Sequence, residues 1–248
     1  EVTASYHEVA DVVRGQITSG ELPPGAVLPS ETELGRRHGV SRATARLALL
    51  QLVNEGLITA GQGRKRQVRN RTPLVVYASR SESIERRIAA GVDAWVADTR
   101  EQQRVPEQTI GVEMAQADAD VARWLEVAPG DIVAVRRRVR MIDGQPDNLN
   151  DTYYPMDLAQ EIPEILNPAD VPQGIIALMR DRGYIQVRYV DELRWRPPTP
   201  DEATRLEMPA GVAVLVQART GYTAERPVKT TVTVWPGDSH VMVYELPA

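Results

Sequence analysis

Cysteine is absent from all 248 residues, which excludes disulfides, thiolate metal sites and a cysteine nucleophile, and suits a reducing cytosol. Histidine is scarce. His7, His38 and His240 lie far apart and form no metal-ligand spacing, so a histidine-based metal site is not expected. No run of eighteen apolar residues occurs, and the N-terminus lacks the basic, apolar and small-residue succession of an export signal. These absences predict a soluble, cytoplasmic protein with no metal, no cofactor and no membrane association. Gly-rich phosphate loops, G-x-S-x-G and a defensible Ser/His/Asp arrangement are missing too, so no catalytic residue is assigned and the chain is not expected to be an enzyme.

What is present is unevenly distributed. The net charge is -5, yet residues 1–72 hold ten Lys and Arg against seven Asp and Glu, whereas the remainder holds nineteen against twenty-seven. A basic module joined to an acidic body is compatible with a nucleic-acid partner. The length allows two domains.

Tyr6, Val9, Ala10, Val13 and Ile17 recur at helical spacing and Gly20 follows as a stop, predicting a helix from Ser5 to about Thr18. The segment ELPPGAVLP breaks regular structure, and SETELGRRHG then opens a short helix with the S-x-x-E capping box of Ser30 and Glu33. Gly39 ends it. Only Val40 and Ser41 separate it from a third helix that Ser41 caps and that runs to about Glu55, the pattern of a helix-turn-helix.

In the third helix Ala45, Ala48, Leu49, Leu52 and Val53 share one face and should be buried. Arg42 and Arg46 flank that face near the N-terminal end, where Ser41 and Thr44 also project. An ordinary solvated helix start would carry acidic residues there, to complement the dipole; arginines are unfavourable for folding and suited to bidentate contact with guanine. Leu47 and Leu50 form a second apolar stripe, expected to pack on the first helix or on the second domain. After Gly56, the segment LITAGQGRKRQVRN reads as a β-hairpin with Arg64, Lys65 and Arg66 at its tip, placed to touch phosphates.

The motifs GELPPGAVLPSETEL, GVSRATARLAL and LVNEGLI stand in the order and spacing of one family: residues 6–69 resemble the winged helix-turn-helix of GntR-family bacterial transcription regulators. The resemblance implies DNA contacts from Ser41, Arg42, Thr44 and Arg46, and from Gln62 and Gly63 at the wing. The family usually has Arg where this chain has Thr32, so a phosphate or base contact at that position is expected to be missing or replaced.

The expected organisation is a DNA-binding domain at 1–69, a linker at 70–75 and an effector-binding, dimerising domain at 76–248. The last contains a repeat. A shift of eighty-one places lays DVARWLEVAPGDIVAVRRR (120–138) over DEATRLEMPAGVAVLVQAR (201–219), and eleven identities accumulate over 120–155. Each copy reads as a short helix, a turn, a strand rich in Val, a turn (Asp143-Gly144 in the first copy) and a second strand ending in proline. Two such copies predict an α+β domain with one continuous antiparallel sheet and a ligand site between the halves. Arg136, Arg138 and Arg140 share one face of the first strand, as a solvated edge or as an anion site that Arg219, the mate of Arg138, would join.

Residues 73–248 resemble the UTRA effector domain of the HutC-type branch, which shares its fold with chorismate lyase; RVRMIDGQP and TYYP carry the pattern. The resemblance implies Arg138 and Arg140 on an acidic or phosphate group, with Asn150, Lys229 and Trp235 deeper in the site. Where the family often has two Glu and a Tyr, this chain has Asn150, Lys229 and Trp235, and Ile175 replaces a common Ser. Losing carboxylate acceptors and gaining donors favours an anionic or aromatic acid over an amino-sugar phosphate. The reading is a homodimeric repressor on a palindromic operator, released by a small anionic effector. Its rivals are a chorismate-lyase-like enzyme with a DNA-binding head and a dimeric DNA binder without a ligand.

Overall fold

Ser5, Ser30 and Ser41 set where the helices of the first seventy residues begin. In the computed structural model, which describes residues 5–59, 65–69, 73–79, 92–209 and 211–246, each hydroxyl accepts a backbone N–H three residues on. Each such cap stabilises its helix by about 1 kcal/mol. The helices are α1 (Tyr6–Thr18), α2 (Glu31–His38) and α3 (Arg42–Asn54), and both α1 and α2 carry complete capping boxes. Gly39 closes α2 in the left-handed region at φ 66°, where a side chain would be strained. The expected helices therefore stand, to within a residue.

Ala45, Ala48, Leu49, Leu52 and Val53 are all buried, packed with Val9, Val13, Leu28, Leu34, Ile58 and Val68 in one core. Burying a leucine of this kind stabilises by about 1.5–3 kcal/mol. Among the described residues, the arms of the hairpin after α3 pair at the Ile58–Val68 bridge, and a Val27–Gln67 bridge adds a third segment that the sequence did not suggest. Leu47 and Leu50 correct an expectation: they remain 51% and 37% exposed.

The strand β1 (Leu74–Tyr77) includes Leu74 and Val75 of the segment read as linker. The main sheet comprises β2 (Pro106–Gln116), β3 (Ile132–Ile142), β4 (Gln145–Pro155), β5 (Arg188–Arg196), β6 (Val214–Tyr222) and β7 (Pro227–Pro236). Their order is β2-β3-β4-β7-β6-β5, antiparallel throughout. With α5 (Ala119–Leu125) and α8 (Pro200–Arg205), the two halves are β2-α5-β3-β4 and β5-α8-β6-β7. The repeat is thus one strand longer than the matching residues showed, and its copies meet at β4–β7 with Asp151 opposite Val232.

One sheet face packs α5, and Leu206 just after α8, over Val133, Val135, Val214 and Val234. On the other face, α6 (Met156–Glu161), a 3₁₀ turn (Pro163–Leu166) and α7 (Ile175–Asp181) cover Ala134 and Tyr154. Further cover comes from α4 (Ala94–Glu101) and from β1, which pairs in parallel with β8 (His240–Val243). Gln102 joins these two, exchanging hydrogen bonds with the backbone of Val75 at 3.2 and 3.0 Å.

Arg136 is neither a solvated-edge residue nor an anion ligand. The strand β3 is flanked by β2, and Arg136 is 1% exposed, donating to the backbone carbonyls of Glu164, Ile165, Asn167 and Ala169. It anchors the 3₁₀ turn, supplying donors to carbonyls that the sheet does not reach.

Candidate DNA-binding face and effector cavity

The start of α3 is exposed, with no acidic residue in its first turn. Ser41 caps the helix and lies 2.8 Å, hydroxyl to hydroxyl, from Thr44, so both side chains are held at the helix end. Arg42 and Arg46 project into solvent from the same end. A groove joins this end to the start of α2 and the base of the wing, lined by Ser30, Glu31, Thr32, Arg42, Lys65 and Arg66 among others. Thr32 and Lys65 are exposed. Arg66 is not the open tip cation that the sequence suggested: its side chain is mostly buried and pairs with Glu31 at 3.3 Å. Gln62, Gly63 and Arg64 lie outside the described residues.

In the second domain, Arg138, Arg140, Asn150, Lys229 and Trp235 all line one cavity of about 150 Å³, together with residues of β1, α4, β6 and α7. Register explains the convergence. Arg138, Asn150, Thr233 and Gln217 stand opposite one another across β3, β4, β7 and β6, and Arg136, Thr152, Thr231 and Arg219 form the adjacent row. Because side chains alternate along a strand, both rows face the same side. Asn150 donates to Thr233 at 2.9 Å, and the hydroxyls of Thr152 and Thr231 lie 3.1 Å apart, knitting the floor across the junction of the halves.

The cations of this cavity differ in their company. Arg219 donates to both oxygens of Asp191 at 2.6 Å; burial opposes ionisation of Asp191, but the Arg219 hydrogen bonds outweigh it and hold the carboxyl below its ordinary value. Arg140 stacks on Trp95 with its guanidinium carbon 4.7 Å from the ring centroid and reaches Asp93 at 3.4 Å; burial pushes it down to about 10. Arg138 donates only to neutral oxygens, Asn150 at 3.3 Å and Thr152 at 3.2 Å, and no carboxylate among the described residues pairs with it. A half-buried guanidinium lacking a counter-charge favours an anion in the space it faces.

Sequence reading missed Trp95, Asp93 and Asp98, which α4 places over the cavity. It also missed Thr152, Thr231 and Gln217. The threonines were visible as strand residues, and only the pairing of β4 with β7 brings them to the cavity floor.

A winged helix-turn-helix beside a duplicated sheet with a polar cavity defines a DNA-binding regulator with a separate small-molecule domain. Residues 5–68 match the family of bacterial regulatory proteins called gntR, and residues 101–241 match the UTRA domain. The chain belongs to the GntR family and carries a UTRA domain; it is a DNA-binding transcriptional regulator.

Among curated proteins it is 27% identical over 245 residues to the HTH-type transcriptional repressor NagR of Bacillus subtilis, covering 96% of this chain and 93% of that one. It is 31% identical over 160 residues to the mannosyl-D-glycerate transport/metabolism system repressor MngR of Escherichia coli, covering 63% and 61%. A crystal structure of a GntR-family transcriptional regulator superposes with a TM-score of 0.62 at 26% identity, covering 99% and 98%. Among the described residues, no helix is long and apolar enough to cross a membrane and no cluster of His, Asp and Glu is arranged to hold a metal ion.

Proposed function

We propose that the chain is a homodimeric repressor of the HutC-type branch, acting in the cytoplasm on a palindromic operator and released by a small anionic effector. The observation that carries the effector reading is Arg138, half-buried on the cavity floor with neutral partners alone. Arg140, stacked on Trp95, supplies the second positive group, and Asn150, Lys229 and Trp235 shape the rest. A volume near 150 Å³ suits a compact ligand, on the order of six to ten non-hydrogen atoms, since engineered cavities of that size hold benzene. The repressor reading draws support from similarity to proteins named as repressors.

On the DNA side, Ser41, Thr44, Arg42 and Arg46 would meet base edges in the major groove, while Thr32, Lys65 and the wing approach phosphates. The two domains also touch. Arg69, at the end of the wing, pairs with Asp238, three residues beyond the cavity residue Trp235. Ligand at Trp235 would bias the position of the head through this turn, provided its affinity differs between the two arrangements.

Native mass spectrometry of the purified chain, followed by DNA binding with and without the carried ligand, tests the proposal. Release of a dimer from a palindromic duplex by a small acid is the expected result; indifference to every ligand found sinks the effector reading. The domain is proposed to be non-catalytic, and pyruvate release on incubation with chorismate would overturn that.

A further inference from the structure

We propose that Glu31 is a positioning residue for operator reading: one carboxylate holds Arg42 of the recognition helix and Arg66 of the wing together, fixing which edge of Arg42 meets DNA. The proposal rests on the assignment of the α3 end to DNA contact. Its evidence is geometric. Oε2 of Glu31 accepts from Nε of Arg42 at 3.1 Å, and Oε1 accepts from Nη1 of Arg66 at 3.3 Å. The Glu31 and Arg66 side chains are each 18% exposed, whereas that of Arg42 is 76% exposed.

Consider what this does to Arg42. A long exposed arginine samples many rotamers, and ordering it on DNA opposes binding. With Nε tied to a carboxylate, the side chain is pre-ordered and its terminal pair, Nη1 and Nη2, points outward as a fork. That fork is the edge that matches O6 and N7 of guanine. Arg46, one turn further on, has no described partner and keeps its freedom.

Glu31 is itself well held. It is the first residue of α2, behind the Ser30–Glu33 capping box, where the helix dipole favours a negative charge. Partial burial opposes its ionisation, but the hydrogen bonds from Arg42 and Arg66 outweigh this and keep the carboxyl below its ordinary value. A carboxylate facing phosphates should weaken DNA binding, so its placement between two DNA-side arginines calls for a positive role, which orientation supplies. Because Arg66 shares the same carboxylate, Glu31 links the base of the wing to the recognition helix.

The test uses the full chain and a duplex selected by the wild type from a randomised DNA pool, compared with random-sequence duplex and with single-base-pair variants of the selected site. For Glu31→Gln, the ratio of selected to random affinity should fall about tenfold, concentrated at the base pair whose preference Arg42→Ala also removes, while random-duplex affinity holds or rises. The E31Q/R42A double variant should match R42A. Glu31→Asp keeps the charge but withdraws it from Arg42, so it should lose the same preference and separates position from charge.

Equal loss on both duplexes would mean a merely structural residue, and equal gain on both a simple electrostatic brake; either overturns the proposal. If R42A itself binds like wild type, the DNA-contact assignment fails and the inference with it. If R42A loses base preference but neither Glu31 variant does, the inference alone fails. Thermal melting of each variant checks that the fold persists.

Discussion

Asp151 faces Val232 across the central β4–β7 ladder, and Val232 is the residue that Asp151 overlies when the sequence is shifted by eighty-one places. The pair marks the pseudo-twofold axis of the domain. Each residue on one side has a mate on the other: Asn150 opposite Thr233 mirrors Thr152 opposite Thr231. The axis also relates Arg138 to Arg219, which makes their different surroundings informative.

Substituting these mates should have opposite consequences. Arg219→Gln leaves the mostly covered Asp191 carboxylate without its cationic partner, with Tyr244 and Gln217 still donating to it, and should destabilise the chain by about 3 kcal/mol. Arg138→Gln breaks no ion pair, so it should shift stability by less than about 1 kcal/mol while abolishing stabilisation by anions. Thermal shift of both variants against a panel of small carboxylates and phosphates distinguishes them; equal behaviour would contradict the division.

The same carboxylate gives a pH dependence. Because Asp191 is held below its ordinary value of 3.8, its contribution is fully present above that value and is lost as pH falls through the lower, folded one. Chemical denaturation below about pH 4 should therefore show a flatter acid limb in Asp191→Asn than in the wild type, at lower stability throughout. A parallel acid limb would remove Asp191 as its source.

On DNA, Arg46→Ala should cost about 1–3 kcal/mol on the selected site and blur preference at one base pair. Lys65→Ala should weaken all duplexes alike and shallow the salt slope by about one. Titrations at several salt concentrations measure both, and matching profiles would erase the distinction between base and phosphate contacts.

Asp238→Asn cuts the ion pair to Arg69 without touching the cavity or α3. Operator affinity without ligand should stay within about threefold of wild type, while the ratio of affinities with and without effector collapses toward one, a coupling of about 1–3 kcal/mol removed. Normal release by effector would place the coupling elsewhere.

Much of this was legible in the sequence where local rules act. Ser30 and Glu33 declare a helix start by spacing alone, and the alternating valines of the repeat declare strands. Of the five cavity residues, Arg138 and Arg140 share a strand face by simple alternation, whereas Asn150, Lys229 and Trp235 were reached only through the family resemblance. Arg136 was misjudged because its partners are carbonyls of residues 164–169, which acquire meaning only when the 3₁₀ turn folds over β3. The strand β2 escaped notice because its polar and apolar residues alternate without β-branched richness, and Trp95 because α4 has only a weak apolar face. Leu47 and Leu50 obey helical spacing yet stay largely exposed.

The Asp191–Arg219 pair has one further consequence. A floor made of two equivalent halves would accept a ligand either way round. Here one half keeps its guanidinium available and the other has it locked against a carboxylate, so the floor has a head and a tail. A ligand with a single charged end would then be drawn to lie with that end toward Arg138.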